Sequence, residues 1–191
     1  MARRRPVVAS FLLLCCFGLA AAAPVLADEP PPTLSWPAKG RITQGYGCTG
    51  FNWEPRRGSC RHFHSGIDIA NARGTPISSA AEGVITFVGW DPWDRGRRPA
   101  WMVIVKHSGG IRTLYAHMTA RRMDGVSKGA AVRRGQVIGY MNMTGKATGV
   151  HLHWAAMDGS RFVSPARYLP RGSTSPGKSF PRRWSAHRCA A

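Results

Sequence analysis

The sequence predicts an all-β domain, a small antiparallel sheet or sandwich with an open groove, and three observations lead there. Apolar and β-branched residues come in short runs, glycines separate the runs, and no stretch sustains an apolar period of 3.6 between helix caps. The clearest runs are Val84 to Trp90, Trp101 to His107, Ile111 to His117, Gln136 to Met141 and His151 to Ala156. Between the second and third, Ser108-Gly109-Gly110 supplies the positive φ of a tight hairpin turn, so these two runs are expected to pair antiparallel. Gly129 to Val132 and then Gly135 to Ile138 make two Gly-then-apolar steps, the form of strand corners and too short to count as a repeat.

The chain has 191 residues, 43% hydrophobic and 19% charged, which fits one domain with short appendages and excludes wholesale disorder. Arg3, Arg4 and Arg5 precede an apolar run of 17 residues from Val7 to Ala23, followed by Val25-Leu26-Ala27 with small residues where a signal peptidase reads. Residues 1–27 therefore read as a secretory signal peptide cleaved before Asp28. The alternative is an uncleaved anchor, for which the run is marginal against the roughly 20 residues of a membrane span. Bulky Leu14 before Cys15 does not suit a lipoprotein site. Residues 28–40 carry Pro30, Pro31, Pro32 and Pro37 and read as an extended linker, 41–170 as the folded domain, and 171–191 as a flexible basic tail. No stable membrane span is expected after the signal.

Signal removal would leave Cys48, Cys60 and Cys189. In an exported protein without CxxC spacing, Cys48 and Cys60 form the natural disulfide, and Cys189 is left as a free thiol, an intermolecular bridge or an alternative partner. The 27 Lys and Arg outnumber 9 Asp and Glu; losing three Arg and no acid with the signal takes the formal charge from +18 to +15. Such an excess calls for an anionic partner. Export, and the lack of a recognisable nucleic-acid motif, favour anionic cell-wall polymers over nucleic acid.

In His151-Leu152-His153 the two imidazoles project from one face of a strand while Leu152 points the other way, into the core. Such a pair can hold one metal ion, or supply one ligand with an acid/base beside it. His64-Ser65-Gly66-Ile67-Asp68 contains a helix-disfavouring Gly and β-branched neighbours, which puts His64 and Asp68 on a turn entering a strand. An imidazole and a carboxylate make a partial zinc site. With His153 the count reaches three, the number that leaves a fourth position open for catalysis. His117 closes a strand beside a loop, where a lone His is more often an ordinary surface residue than a catalyst, and only the other candidates around it turn that balance. There is no HExxH helix and no Glu after Glu82, so histidine is the remaining candidate for proton transfer.

The ordered set His64-x-x-x-Asp68, Tyr115-x-His117 and His151-x-His153 resembles that of the lysostaphin-type zinc endopeptidases, which cut peptidoglycan cross-links. The resemblance extends through HSGIDIA from His64, GTPISSAAEGVI from Gly74, GQVIGY from Gly135 and TGKATGVHLHW up to Trp154, covering roughly Arg41 to Leu169. It implies that His64, Asp68 and His153 hold one Zn2+, and that His117 and His151 stand beside the reacting water and carbonyl. It further implies a secreted or envelope enzyme acting on peptidoglycan. Departures are Met118, Trp154, Ala155 and Ala156, the last two where many relatives carry an acid. Asp91 to Arg98 and the Cys48 to Cys60 loop are expected as groove walls.

Two other readings compete. His62-Phe63-His64 with Asp68 spells HxHxxxD, the first half of a cupin metal motif whose second half is missing. A non-catalytic wall-binding module, or a regulatory member of the same family, would use Trp53, Trp90, Trp93 and Trp101 to stack on sugars, although these aromatics equally suit core or groove packing. His107 and His187 have no evident partner in the sequence.

Overall fold

A computed structural model describes residues 29–94, 96, 98–174 and 177. The proposed signal peptide with Cys15 and Cys16, and most of the tail with His187 and Cys189, lie outside the described residues. The strands are β1 (Arg41–Gln44), β2 (Gly47–Cys48), β3 (Phe63–His64), β4 (Gly66–Ala70), β5 (Pro76–Ser78) and β6 (Gly83–Trp90). They continue with β7 (Trp101–Lys106), β8 (Arg112–Ala116), β9 (Ala131–Val132), β10 (Val137–Tyr140), β11 (His151–Asp158) and β12 (Arg161–Val163). Helical structure among the described residues is confined to two 3-10 turns, Ser108–Gly110 and Pro165–Tyr168, so the molecule is all-β as its sequence patterning requires. No helix of the described residues is long and apolar enough to cross a membrane.

The main sheet runs β1-β4-β11-β8-β7-β6-β9, with β12 beside the far end of β11, and every pairing in it is antiparallel. The β7–β8 hairpin turns through Ser108–Gly110, with Gly109 and Gly110 at φ +59° and +71°, the conformation those glycines were expected to supply. Two small ladders, β5–β10 and β2–β3, attach to this sheet.

Strand alternation divides the sheet into two faces. Ile67 and Ile69 of β4, Leu152 and Trp154 of β11, Tyr115 of β8 and Val103 and Val105 of β7 fill the larger core together with Ile77, Ile138 and Met141 of the β5–β10 layer. The opposite face carries a smaller apolar cluster of Met102, Ile104, Leu114, Ala116 and Ala155. Asp68 and His153 alternate with the large-core residues, so they emerge on the smaller cluster's side, where less apolar mass covers them.

The Pro-rich segment expected as a linker behaves differently from residue 29 on. Leu34 is fully buried in the larger core, and Trp36 packs against Trp154 with ring centroids 5.6 Å apart. Backbone bonds run from Leu34 N–H to the Tyr168 carbonyl (2.7 Å), from Ser35 N–H to Ala80 (2.8 Å) and from Ser78 N–H to Pro37 (2.7 Å). Proline makes the segment extended, but the interleaved Leu34 and Trp36 give it apolar area to bury, so it closes the core instead of spanning away from it.

Candidate metal centre

Register brings the chemistry together. In the β4–β11 ladder His153 lies opposite Asp68, and in the β11–β8 ladder the same residue lies opposite Ala116. His64 ends β3 and only Ser65 separates it from β4. Its Nε2 stands 2.9 Å from His153 Nδ1 and 3.1 Å from Asp68 Oδ1, and His153 Nδ1 is 3.1 Å from that same oxygen. Three donor atoms thus form a nearly equilateral triangle. A tetrahedral zinc ion with bonds of about 2.0–2.1 Å has donor–donor edges of roughly 3.3 Å, so the set suits one ion capping this triangle with a fourth position left open. The donors, two imidazoles and one carboxylate, are those zinc accepts.

Each ligand atom is selected by what its side chain does elsewhere. His64 Nδ1–H donates to the Gly45 carbonyl at 2.8 Å, leaving the Nε2 lone pair facing Asp68. His153 turns its Nε2 toward Ser65 Oγ at 3.4 Å and offers Nδ1 to the triangle. Burial drives the Asp68 carboxyl toward the neutral form, but hydrogen bonds and charge from His153 and His64 outweigh it and hold the group well below the usual carboxylate range. For His64 burial also favours the neutral form; the bond to Asp68 and its charge prevail and raise the imidazole above its ordinary value.

His117 and His151 complete the cluster. His151 Nδ1–H donates to the Gly149 carbonyl (2.9 Å), and its Nε2 lies 3.7 Å from Asp68 Oδ2, the oxygen the triangle does not use. His117 Nδ1–H donates to the Thr144 carbonyl at 2.6 Å, and its ring centroid sits 4.5 Å from that of His151 and 6.1 Å from that of His153. Burial, helped by the neighbouring charges of His151 and His153, lowers the His117 pKa to about 4. His117 is also the one described non-glycine residue in the left-handed region, at φ +62°. That conformation costs on the order of 1–3 kcal/mol and persists only where the surroundings enforce it.

The other sequence candidates are elsewhere. His62 bonds through Nδ1 to the Glu54 carbonyl (3.1 Å) and has no place in the donor triangle, which removes the HxHxxxD reading. His107 is fully buried between the Glu82 carbonyl and Thr113 Oγ1, a structural position. Trp53, Trp90 and Trp93 are exposed, whereas Trp101 belongs to the larger core and backs Trp90 edge-on at 5.3 Å. Trp90, Arg98, Met143 and Thr144 line an open hollow of about 560 Å³ next to the segment that holds His117. Cys48 and Cys60 are joined, with Cα atoms 5.2 Å apart, and close the loop that rises from the β2–β3 ladder, where Gly47 pairs with His64. Sequence reading overlooked Gly66, where a Cβ would lie 2.9 Å from the His153 ring, and Thr144; the Gly in HSGID was the available signal for the first.

Known proteins are similar to this chain in sequence and in fold. Residues 62–165, more than half of the chain, match Peptidase family M23. Over 106 residues the chain is 40% identical to the DD-carboxypeptidase/endopeptidase Mpg of Neisseria meningitidis, a match covering 54% of this chain but only 22% of that protein. Among solved structures, a zinc-containing peptidase from Vibrio cholerae superposes with a TM-score of 0.53 at 28% identity, over 71% of this chain and 39% of that one. The catalytic domain of the antimicrobial peptidase lysostaphin from Staphylococcus simulans does so with a TM-score of 0.54 at 27% identity, over 68% of this chain and 92% of that one. Since the matched segment contains His64, Asp68, His117, His151 and His153 on the same antiparallel scaffold, the chain belongs to Peptidase family M23.

Proposed function

We propose that this protein is an exported zinc-dependent endopeptidase that hydrolyses amide bonds in peptidoglycan stem peptides or cross-bridges, with residues 1–27 as its signal peptide. The observation that carries this reading is the triangle of His64 Nε2, Asp68 Oδ1 and His153 Nδ1, with two further imidazoles beside it. The Cys48–Cys60 disulfide supports an oxidising, extracytoplasmic compartment.

His64, Asp68 and His153 would hold the ion. Zinc bound there supplies Lewis-acid polarisation of a carbonyl and lowers the pKa of a water toward about 7. His117 and His151 both spend Nδ1–H on backbone carbonyls, so each keeps an Nε2 lone pair able to take a proton. Between them they remove the proton of the attacking water and return one to the leaving amine. The low pKa of His117 keeps it unprotonated through mildly acidic conditions. Asp68 Oδ2 beside His151 stabilises that ring while it carries the proton. The basic surface and tail would concentrate the enzyme on anionic wall polymers.

The test is release of new amino termini from purified peptidoglycan by the disulfide-intact protein, before and after zinc removal and restoration. Release that follows the zinc is the expected result, and the identity of the new N-terminal residue names the bond. A protein that binds one zinc yet releases nothing from several wall types would be a regulatory member of the family instead.

A further inference from the structure

Strand parity gives His117 a side chain on the wrong face. Ala116, opposite His153 in the β8–β11 ladder, shares its side of the sheet, and Tyr115, opposite Trp154, points into the larger core. Continued as a strand, residue 117 would follow Tyr115 into that core, away from His151 and His153. The left-handed turn at His117 reverses this and returns the imidazole to the metal side.

The segment Asn142–Thr144 brackets that turn from both sides. Asn142 N–H donates to the His117 carbonyl at 3.0 Å, and the Thr144 carbonyl accepts from the His117 ring at 2.6 Å. The Thr144 hydroxyl fastens the bracket: Oγ1–H donates to the Met118 carbonyl at 2.7 Å and accepts from Trp101 N–H at 3.1 Å, while Met118 N–H donates to the Trp101 carbonyl at 3.1 Å. One hydroxyl therefore ties the loop after β10 to the residue following His117 and to the start of β7. No other side chain among the described residues bonds both partners.

We propose that Thr144 is the positioning residue for His117: its hydroxyl holds the left-handed turn and its carbonyl selects the tautomer protonated at Nδ1, which leaves Nε2 as the proton acceptor in the cleft. Thr144 acts through His117 and is not one of the three metal-holding residues. This inference deepens the hydrolytic reading above and rests on it for the catalytic consequence; the conformational claim stands separately.

The experiment uses the zinc-loaded full protein and three variants, Thr144→Val, Thr144→Ser and Thr144→Ala. The first readout is the 15N NMR signature of the His117 ring nitrogens. In the wild type and Thr144→Ser, Nδ1 is expected to be protonated and Nε2 not; in Thr144→Val the signal shifts to a mixture of tautomers. The second is peptidoglycan hydrolysis, where Thr144→Val should lower kcat about 10–100-fold with KM and zinc content unchanged, and Thr144→Ser should restore most of it. If Thr144→Val does not fold, Thr144→Ala, which removes the hydroxyl together with the γ-methyl and puts no second methyl in the hydroxyl's place, is read the same way. A wild-type tautomer in both hydroxyl-free variants overturns the proposal, whatever happens to kcat. A wild type that cleaves no peptidoglycan removes the hydrolytic reading alone, since the tautomer comparison is still decided.

Discussion

Gly66 shares a strand face with Asp68, and a Cβ placed on it would stand 2.9 Å from the His153 ring and 2.5 Å from the Trp154 carbonyl oxygen. The backbone oxygen lies in a central ladder and cannot retreat, so the strain of any side chain passes to the His153 ring. Gly66→Ala is therefore expected to weaken zinc binding about 10–100-fold while the fold survives, as read by chelator competition; unchanged affinity would mean that the ring has room to yield. Removing ligands and proton acceptors should separate their roles. On the proposed reading, His153→Ala is expected to lose both metal and hydrolysis, whereas His117→Ala is expected to keep stoichiometric zinc and lose activity by about 100-fold or more. Equal zinc loss in the two variants, measured by metal analysis, would overturn that division.

The β7–β8 hairpin is the element whose polar interior is most complete. His107, at the end of β7, donates Nδ1–H to the Glu82 carbonyl (2.6 Å) and sets Nε2 against Thr113 Oγ1 (2.7 Å), which is hydrogen-bonded in turn to the Tyr115 hydroxyl (2.8 Å). Tyr115 also accepts from Ala80 N–H at 2.8 Å, linking the hairpin to the segment before β6. Burial lowers the His107 pKa and the charge of Arg134 adds to it, against the opposing pull of the Glu82 carbonyl. The folded state thus binds this proton less readily than the unfolded chain, whose imidazole titrates near 6.5. Its contribution to stability is complete above about pH 6.5 and is lost as pH falls below that value. The gap in Tm between wild type and His107→Gln should accordingly be widest near pH 7.5 and shrink toward pH 5. A gap that grows on acidification would contradict a neutral buried imidazole.

At the scale of the molecule the largest signal is charge. The formal +18 arises from 27 Lys and Arg against 9 acids, and among the described residues Lys146 with Asp94, at 3.6 Å, is the sole Lys or Arg ion pair. An unneutralised surface of this kind binds polyanions through long-range attraction. Co-sedimentation with purified walls is expected to be strong at about 0.1 M salt and largely abolished at about 1 M, as the Debye length shrinks from about 10 to 3 Å. Salt-resistant adhesion would instead point to the exposed aromatic residues, Trp53, Trp90 and Trp93, as the contact.

Period-two patterning, Gly-marked turns and the HxH and HxxxD spacings are local properties, and local properties can be read from residue order. They are enough for an all-β antiparallel class, the Ser108–Gly110 hairpin, and the placement of His151 and His153 on one face with Leu152 on the other. The convergence of His64 with His153, 89 residues apart, depends on which strands become neighbours and in what register, and that is settled by burial over the whole sheet. The same holds for Leu34 and Trp36, whose burial converts an apparent linker into a part of the core. His117 is the sharpest case: its residue type suggests chemistry, but strand parity sends it into the core, and only the tertiary bracket from Asn142 and Thr144 sustains the strained turn that delivers it to the metal side.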